Sequence, residues 1–345
     1  MHIQFFIPSI YQLPTGGNIF NRKIIDFLSD VHAVTVTVYR QSSDLKTGRV
    51  QADVSHKTHI VFVDSLLLRE PSVRKFMKRK ASGVRFVLLV HYLHLIDPEQ
   101  ENSPAAQQEL ELLSTFDGFV TTSGFSAEKL IRQGVRFSKV CVAQPGLDLI
   151  YRTEIRKNEP APIPLLLTVS SILPGKGLPE FISILEKQAD LDWQWQIVGE
   201  AGLDREFYRK FDRHLEGLRR AGRVVYHGSI VLSKLVRLYD EADLFVLPSH
   251  FESCSMVSME AMSRGLPVLA YQVGGLQEIV INGQNGYLIP PGNVSEFSRS
   301  LWKLISDPGL RKQLGENALL SSREFPGWED TGNTVNNFLM KISHF

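Results

Sequence analysis

The 345-residue chain has only two cysteines, Cys141 and Cys254. Two thiols build no disulfide framework and no cysteine-based metal site, which suits a reducing compartment. Long hydrophobic runs are missing as well: none approaches the roughly 20 apolar residues needed to span a bilayer. The first residues, Met1–Pro8, lack a basic stretch and carry too short an apolar run for a secretory signal. A cytoplasmic protein is therefore expected, with attachment at the inner face of a membrane as the variant of that reading. Net charge is +1, so bulk electrostatics give no reason to expect a nucleic-acid partner. Low-complexity tracts and short repeats are absent too, and hairpin signals are scarce. What remains is ordinary: 43% hydrophobic and 22% charged residues describe a globular domain protein, and the length accommodates two domains.

Short apolar runs alternate with amphipathic ones. In the first half, strands are expected at His2–Ile7, Ala33–Tyr39, Ile60–Val63, Phe86–His91, Gly118–Thr122 and Val140–Ala143, with helices near 18–29, 71–81, 104–115 and 125–133. Residues Tyr151–Pro164 break the rhythm with charge and three prolines, Pro160, Pro162 and Pro164. A second series of strands then falls near 165–170, 194–198, 223–227, 243–247, 267–271 and 286–289. This βαβα order predicts an α/β fold of two doubly wound, Rossmann-like domains with a ligand cleft between them. The expected division is a first domain over 1–150, a linker over 151–164, a second domain over 165–325 and a terminal helix over 326–345.

Chemistry-bearing residues gather where strands give way to helices. Glu252 follows the strand before Pro248, and Glu260 lies eight residues later inside the next helix. Such a loop faces the ligand crevice of a parallel sheet, where carboxylates accept from hydroxyls and helix N-termini hold anions. The plain alternative makes Glu252 a helix cap and Glu260 a helix-face charge. Thr15-Gly-Gly-Asn18 follows the first strand; its glycines allow close backbone approach, and Asn18 is the expected N-cap. Ser170-Ser-Ile-Leu-Pro-Gly-Lys-Gly177 is not a Walker sequence, but Lys176 sits between two glycines where it could reach a diphosphate. Val273-Gly-Gly-Leu-Gln-Glu-Ile-Val280 is a third glycine loop, expected to open a helix.

Taken in order, these segments resemble the large retaining glycosyltransferase family 4, of GT-B architecture. The likeness runs over Thr168–Gly177, Ile197–Gly199, His227-Gly228, Tyr239–Ser249, Glu252–Pro267, Gly274–Val280 and Gly283–Gly292, with Glu252 and Glu260 on the family's E-x7-E signature. The resemblance implies a role for each position. Lys176 would bind the donor diphosphate and Glu252 the donor sugar. The amides of Ser255, Met256 and Val257 would face hydroxyls and phosphate. Glu260 would accept from the ribose. Gly16 and Gly17 would bring backbone against phosphate, and His91 would stand near the reacting sugar, with His94 as its competitor. Catalysis would fall to His91, Lys176 and Glu252. The co-substrate would be a UDP- or GDP-linked sugar, with no other cofactor and no metal. The acceptor would be a small molecule, glycan or lipid held by the first domain. Trp328, at the start of the terminal helix, would pack at a hinge.

Two departures stand out. The family arginine five residues before the lysine is Ser171 here, and the usual Gly-Phe-Gly after the first glutamate is Ser253-Cys254-Ser255. The competing reading is thus a catalytically degenerate nucleotide-sugar-binding partner subunit; a phosphorylase or epimerase on the same architecture is a third. Asp190-Leu-Asp192 mimics a metal motif but precedes a strand, at the wrong end of the sheet. The basic stretch 69–85 could touch an anionic membrane; a solvated helix face is the preferred reading of it.

Overall fold

The computed structural model describes residues 1–39, 58–77, 83–153, 161 and 163–343. Most of the expected linker, residues 154–160 and 162, lies outside them. So do Lys78, Arg79 and Lys80 of the basic stretch. The chain divides into two compact units, one of Met1–Gly146 with Pro326–Phe345 and one of Leu147–Phe325.

The first unit is a six-stranded sheet of β1 (His2–Pro8), β2 (Ala33–Tyr39), β3 (Ile60–Asp64), β4 (Arg85–Val90), β5 (Gly118–Thr121) and β6 (Val140–Val142), with α1 (Gly16–Val31), α2 (Pro71–Met77), α3 (Pro104–Leu113) and α4 (Gly124–Arg132). Its order is β2-β1-β3-β4-β5-β6, all parallel. The central strands are nearly continuous apolar runs because both faces are covered. Phe5 of β1 stacks on Phe62 of β3 with ring centroids 4.5 Å apart. In α1 the buried positions Asn18, Phe20, Asn21, Ile24, Ile25 and Leu28 recur at helical spacing. The N-cap of α1 is Thr15, not Asn18 as expected: the Thr15 hydroxyl accepts the Asn18 N–H. Asn18 instead turns its amide back to the Ile10 and Leu13 carbonyls, at 2.7 and 3.1 Å, and pins the preceding loop. The terminal helix α11 (Trp328–Ser343) packs on α1 and β6, and Thr331 Oγ1 donates to the Gln144 carbonyl at 2.7 Å.

The second unit carries β7 (Leu165–Val169), β8 (Gln194–Val198), β9 (Val224–Tyr226), β10 (Leu244–Leu247), β11 (Val268–Tyr271) and β12 (Gly286–Ile289), with α5 (Leu178–Glu186), α6 (Arg205–Arg220), α7 (Leu232–Glu241), α8 (Met256–Ser263), α9 (Val294–Ser306) and α10 (Pro308–Ser321). The order β12-β11-β10-β7-β8-β9 is again parallel throughout. Trp195 is wholly buried, edge-on to Phe181 at 5.0 Å. Burial of an aromatic side chain of this kind contributes about 1.5–3 kcal/mol. Its indole N–H donates to Thr168 Oγ1 at 3.0 Å, and that hydroxyl donates to the Val246 carbonyl at 2.8 Å. This buried chain fastens β7 to β10. The glycine loop Val273–Val280 departs from expectation, forming a 3-10 turn over Gly274–Glu278 rather than an α-helix.

Among the described residues no helix is long and apolar enough to cross a membrane. Three of the four described cations of the basic stretch are engaged within the first unit: Arg69 lies over the Tyr92 ring, Arg74 bonds Gln108, and Arg85 pairs with Asp117, while Lys75 is exposed.

Candidate functional site

Each sheet reverses its strand order at one point, and the candidate residues lie there. In the second unit the reversal falls between β7 and β10, where neighbouring loops diverge and leave a crevice. The loop after β7 delivers Lys176 and the loop after β10 delivers Glu252. Their side chains meet, with Nζ 2.7 Å from Oε1 and only 26% and 11% of the two side chains accessible. Two further contacts hold the loops together. The His250 N–H donates to the Gly175 carbonyl at 3.0 Å, and the His250 ring bonds Glu180 at 2.6 Å. The third glycine loop braces Glu252 from the other side, since the Gly275 N–H donates to the Glu252 carbonyl at 2.9 Å. Gly274 makes that approach with φ +52, and a Cβ there would lie 1.7 Å from the Glu252 carbonyl oxygen. No other residue fits.

Ser255 is the N-cap of α8, accepting the Ser258 N–H and bonding the Ser258 hydroxyl at 2.8 Å. Its hydroxyl is thereby committed to the helix. The first-turn amides of Met256 and Val257 have no intrahelical partner, as at any helix start. Glu260 lies on the same helix, partly accessible as a residue. Its carboxylate accepts from the Tyr239 hydroxyl at 2.9 Å, and the Tyr151 hydroxyl lies near it without a well-formed bond. Desolvation pushes the Glu260 carboxyl up to about 7, against the opposing pull of the tyrosine hydroxyls. Burial raises the Cys254 thiol, with the nearby Glu278 and Glu252 charges adding to it, which disfavours the nucleophilic thiolate.

In the first unit the reversal falls between β1 and β3. Gly16 and Gly17 are the first two residues of α1, their amides at the open end of the helix. His91 follows β4. A Cβ on Gly17 would stand 3.0 Å from the His91 ring, so these two expected site residues are in van der Waals contact. His91 Nε2 bonds Asn21 Oδ1 at 2.7 Å, and Asn21 Nδ2 donates to Asp64 Oδ2 at 2.7 Å. Burial lowers the His91 pKa, outweighing the opposite pull of Asp64. His94 is occupied elsewhere: its Nδ1 bonds Glu109 at 2.8 Å, while the other Glu109 oxygen takes the Leu95 N–H.

The structure thus joins Lys176 to Glu252 and Gly17 to His91, and gives Glu260 two tyrosine neighbours. It adds Tyr151, Tyr239, Asn21 and Asp64, none of which was expected at a site. One signal was available for Asn21: a polar residue on the buried stripe of an amphipathic helix. Asp64 offered another, as an acid closing an all-apolar strand.

Residues 152–320 match the profile of the family described as Glycosyl transferases group 1. The chain is similar to the D-inositol 3-phosphate glycosyltransferase of Xylanimonas cellulosilytica, at 29% identity over 238 residues, which are 64% of this chain and 56% of that protein. A protein of the same description from an Arthrobacter species is 27% identical over 71% of this chain and 63% of its own length. The matched region therefore spans less than two thirds of these relatives. Among solved structures, sucrose-phosphate synthase from Thermosynechococcus elongatus superposes with a TM-score of 0.78 at 18% identity, covering 98% of each chain. Anabaena HepE in complex with UDP and glucose superposes with a TM-score of 0.75 at 19% identity, over 98% of this chain and 99% of that one.

Proposed function

We propose that the chain, whose residues 152–320 match the glycosyl transferases group 1 family, moves a sugar from a nucleoside diphosphate to an acceptor hydroxyl, with retention at the anomeric carbon. The fold is GT-B, two parallel six-stranded α/β sheets. The observation that carries the reading is the Lys176–Glu252 pair at the strand-order reversal of the second unit. A cation and a hydroxyl-accepting carboxylate there suit the two ends of a diphosphate-linked sugar. The diphosphate would lie against the Met256 and Val257 amides and Lys176, which turns from Glu252 towards the phosphate. Glu252 is then released to accept from the sugar hydroxyls, and Glu260 accepts from the ribose. The solved HepE complexes with UDP and with UDP-glucose support a UDP-linked donor; a GDP-linked one is the alternative.

In the proposed step the bond from the anomeric carbon to the diphosphate oxygen breaks, and the bond to the acceptor oxygen forms on the same face. The departing diphosphate oxygen takes the acceptor proton. No protein nucleophile and no metal is required. Lys176 and the helix amides stabilise the charge that develops on the leaving group. The acceptor, a small molecule, glycan or lipid, is assigned to the first unit, which carries His91. The matching test is release of free nucleoside diphosphate only when an acceptor is added, with product stereochemistry read by NMR. Release without acceptor, or an inverted product, contradicts the reading. The second reading is a degenerate partner subunit, favoured by the neutral Ser171 in place of the family arginine. It requires nucleotide binding with no transfer to any acceptor.

Gly17→Ala gives a separate check on the first unit. The added methyl presses on the His91 ring at 3.0 Å, which must give by a few tenths of an ångström. Turnover is expected to fall about tenfold or more, since small misplacements of a positioning group are costly. Nucleoside diphosphate affinity should hold. Unchanged turnover would remove His91 from the site.

A further inference from the structure

We propose that Asn21 and Asp64 are positioning residues that lock His91 in a single tautomer, with the proton on Nε2 and the Nδ1 lone pair left to accept from a ligand hydroxyl. The proposal rests on the transferase reading for the identity of that ligand, a sugar or acceptor hydroxyl, and on geometry alone for the tautomer.

The chain of contacts that fixes the ring starts at Asp64. This residue closes β3 and is 1% exposed. Its Oδ1 is taken by the Leu66 N–H at 2.9 Å, which fixes the carboxylate plane. Its Oδ2 lies 2.7 Å from the Asn21 side-chain nitrogen. A carboxylate only accepts, so the amide of Asn21 must turn its NH2 group to Asp64 and its oxygen the other way. That oxygen is 2.7 Å from His91 Nε2. An amide oxygen also only accepts, so Nε2 must carry the hydrogen. In a neutral imidazole the second nitrogen, Nδ1, then has no proton. Asn21 is itself wholly buried and has no room to choose otherwise.

The ring is held from its other sides as well. The His91 backbone N–H donates to Ser65 Oγ at 3.1 Å, and Phe20 stands edge-on at 5.5 Å. Gly17 leaves the face against α1 open to a backbone and to nothing larger. Asp64 is the charged group facing the ring, with Oδ2 3.8 Å from Nε2, and would favour an imidazolium. Desolvation opposes it and prevails, so the pKa of the ring is lowered. At neutral pH, a ring held this way accepts a hydrogen bond from a hydroxyl. An imidazolium would instead donate to an anion, so the chain of three residues selects a hydroxyl over a phosphate at this point.

The test is long-range ¹⁵N–¹H NMR of the full chain labelled in its ten histidines, with His91→Gln identifying the His91 signals. The wild type should show a neutral ring with Nε2 protonated, staying neutral at about pH 6.5, the ordinary histidine midpoint. Asp64→Asn frees the Asn21 amide to turn over, so both tautomers should appear. In that variant kcat should fall on the order of a hundredfold, with nucleoside diphosphate affinity unchanged. Asn21→Asp places a second carboxylate beside Nε2 and should raise the His91 pKa by about one to three units; it covers the case in which Asp64→Asn does not fold. A wild-type ring protonated on Nδ1, or an imidazolium at neutral pH, overturns the proposal. So do folded variants with wild-type tautomer, pKa and kcat. The tautomer is read without substrate, so failure of the transferase reading shows separately, as a wild type with no turnover.

Discussion

Lys176→Ala is expected to weaken nucleoside diphosphate binding by about ten- to a hundredfold, and sugar transfer by at least as much. A hydrogen bond to a charged group contributes about 1.5–3 kcal/mol, and each 1.4 kcal/mol is tenfold in affinity. The upper end is favoured because Glu252 loses its only described cation. Its side chain, 11% accessible, would then present an unpaired carboxylate to an anionic ligand. Combining Lys176→Ala with Glu252→Gln should recover part of the diphosphate affinity and none of the transfer. With Ser171 where the family carries an arginine, no second cation on this loop compensates. Calorimetric titration with the diphosphate reads all three proteins. Equal affinity in Lys176→Ala and wild type would mean that the diphosphate does not lie at this loop.

The second large effect is a pH dependence centred on Glu260. Its folded-state pKa is about 7, raised from 4.5 by desolvation and by the Asp148 charge, and opposed by Tyr239 and Tyr151. A raised carboxyl pKa means that the folded chain binds a proton which the unfolded chain has released. Stability of the unliganded protein should therefore fall as pH rises from about 4.5 to about 7, and then level. The loss is on the order of 3 kcal/mol. Glu260→Gln should abolish that part of the slope. Donor binding should show the opposite trend. Ribose hydroxyls donate to the ionised carboxylate, so affinity should tighten as pH rises from about 6 to about 8, with a proton released on binding. A Glu260→Gln variant that keeps both slopes would place their origin elsewhere.

How much of this was legible in the chain depends on distance along it. Strand positions were, because each is a short apolar run bounded by glycine, proline or charge; β2 and β8 fall where the pattern puts them. The strand-to-helix loops carrying Lys176 and Glu252, and the helix start that carries Gly17, were legible for the same reason. The Thr15 cap was misread because Asn18 is an equally good capping residue by type, and only the loop carbonyls of Ile10 and Leu13 draw its amide away. The third glycine loop was expected to open a helix because it follows a strand as the other two do, yet it forms only a 3-10 turn over Gly274–Glu278. Partnerships across the fold were not legible. Glu260, Tyr239 and Tyr151 meet from three separate elements, and His91 reaches Asp64 only through Asn21. Such contacts follow from strand order, which local pattern does not contain.

The central claim is a nucleoside diphosphate site at the reversal between β7 and β10. Calorimetric titration of the wild-type protein with UDP, GDP and ADP tests it most directly. Saturable one-to-one binding with a clear preference for one base is expected. A folded protein that binds none of the three would contradict it.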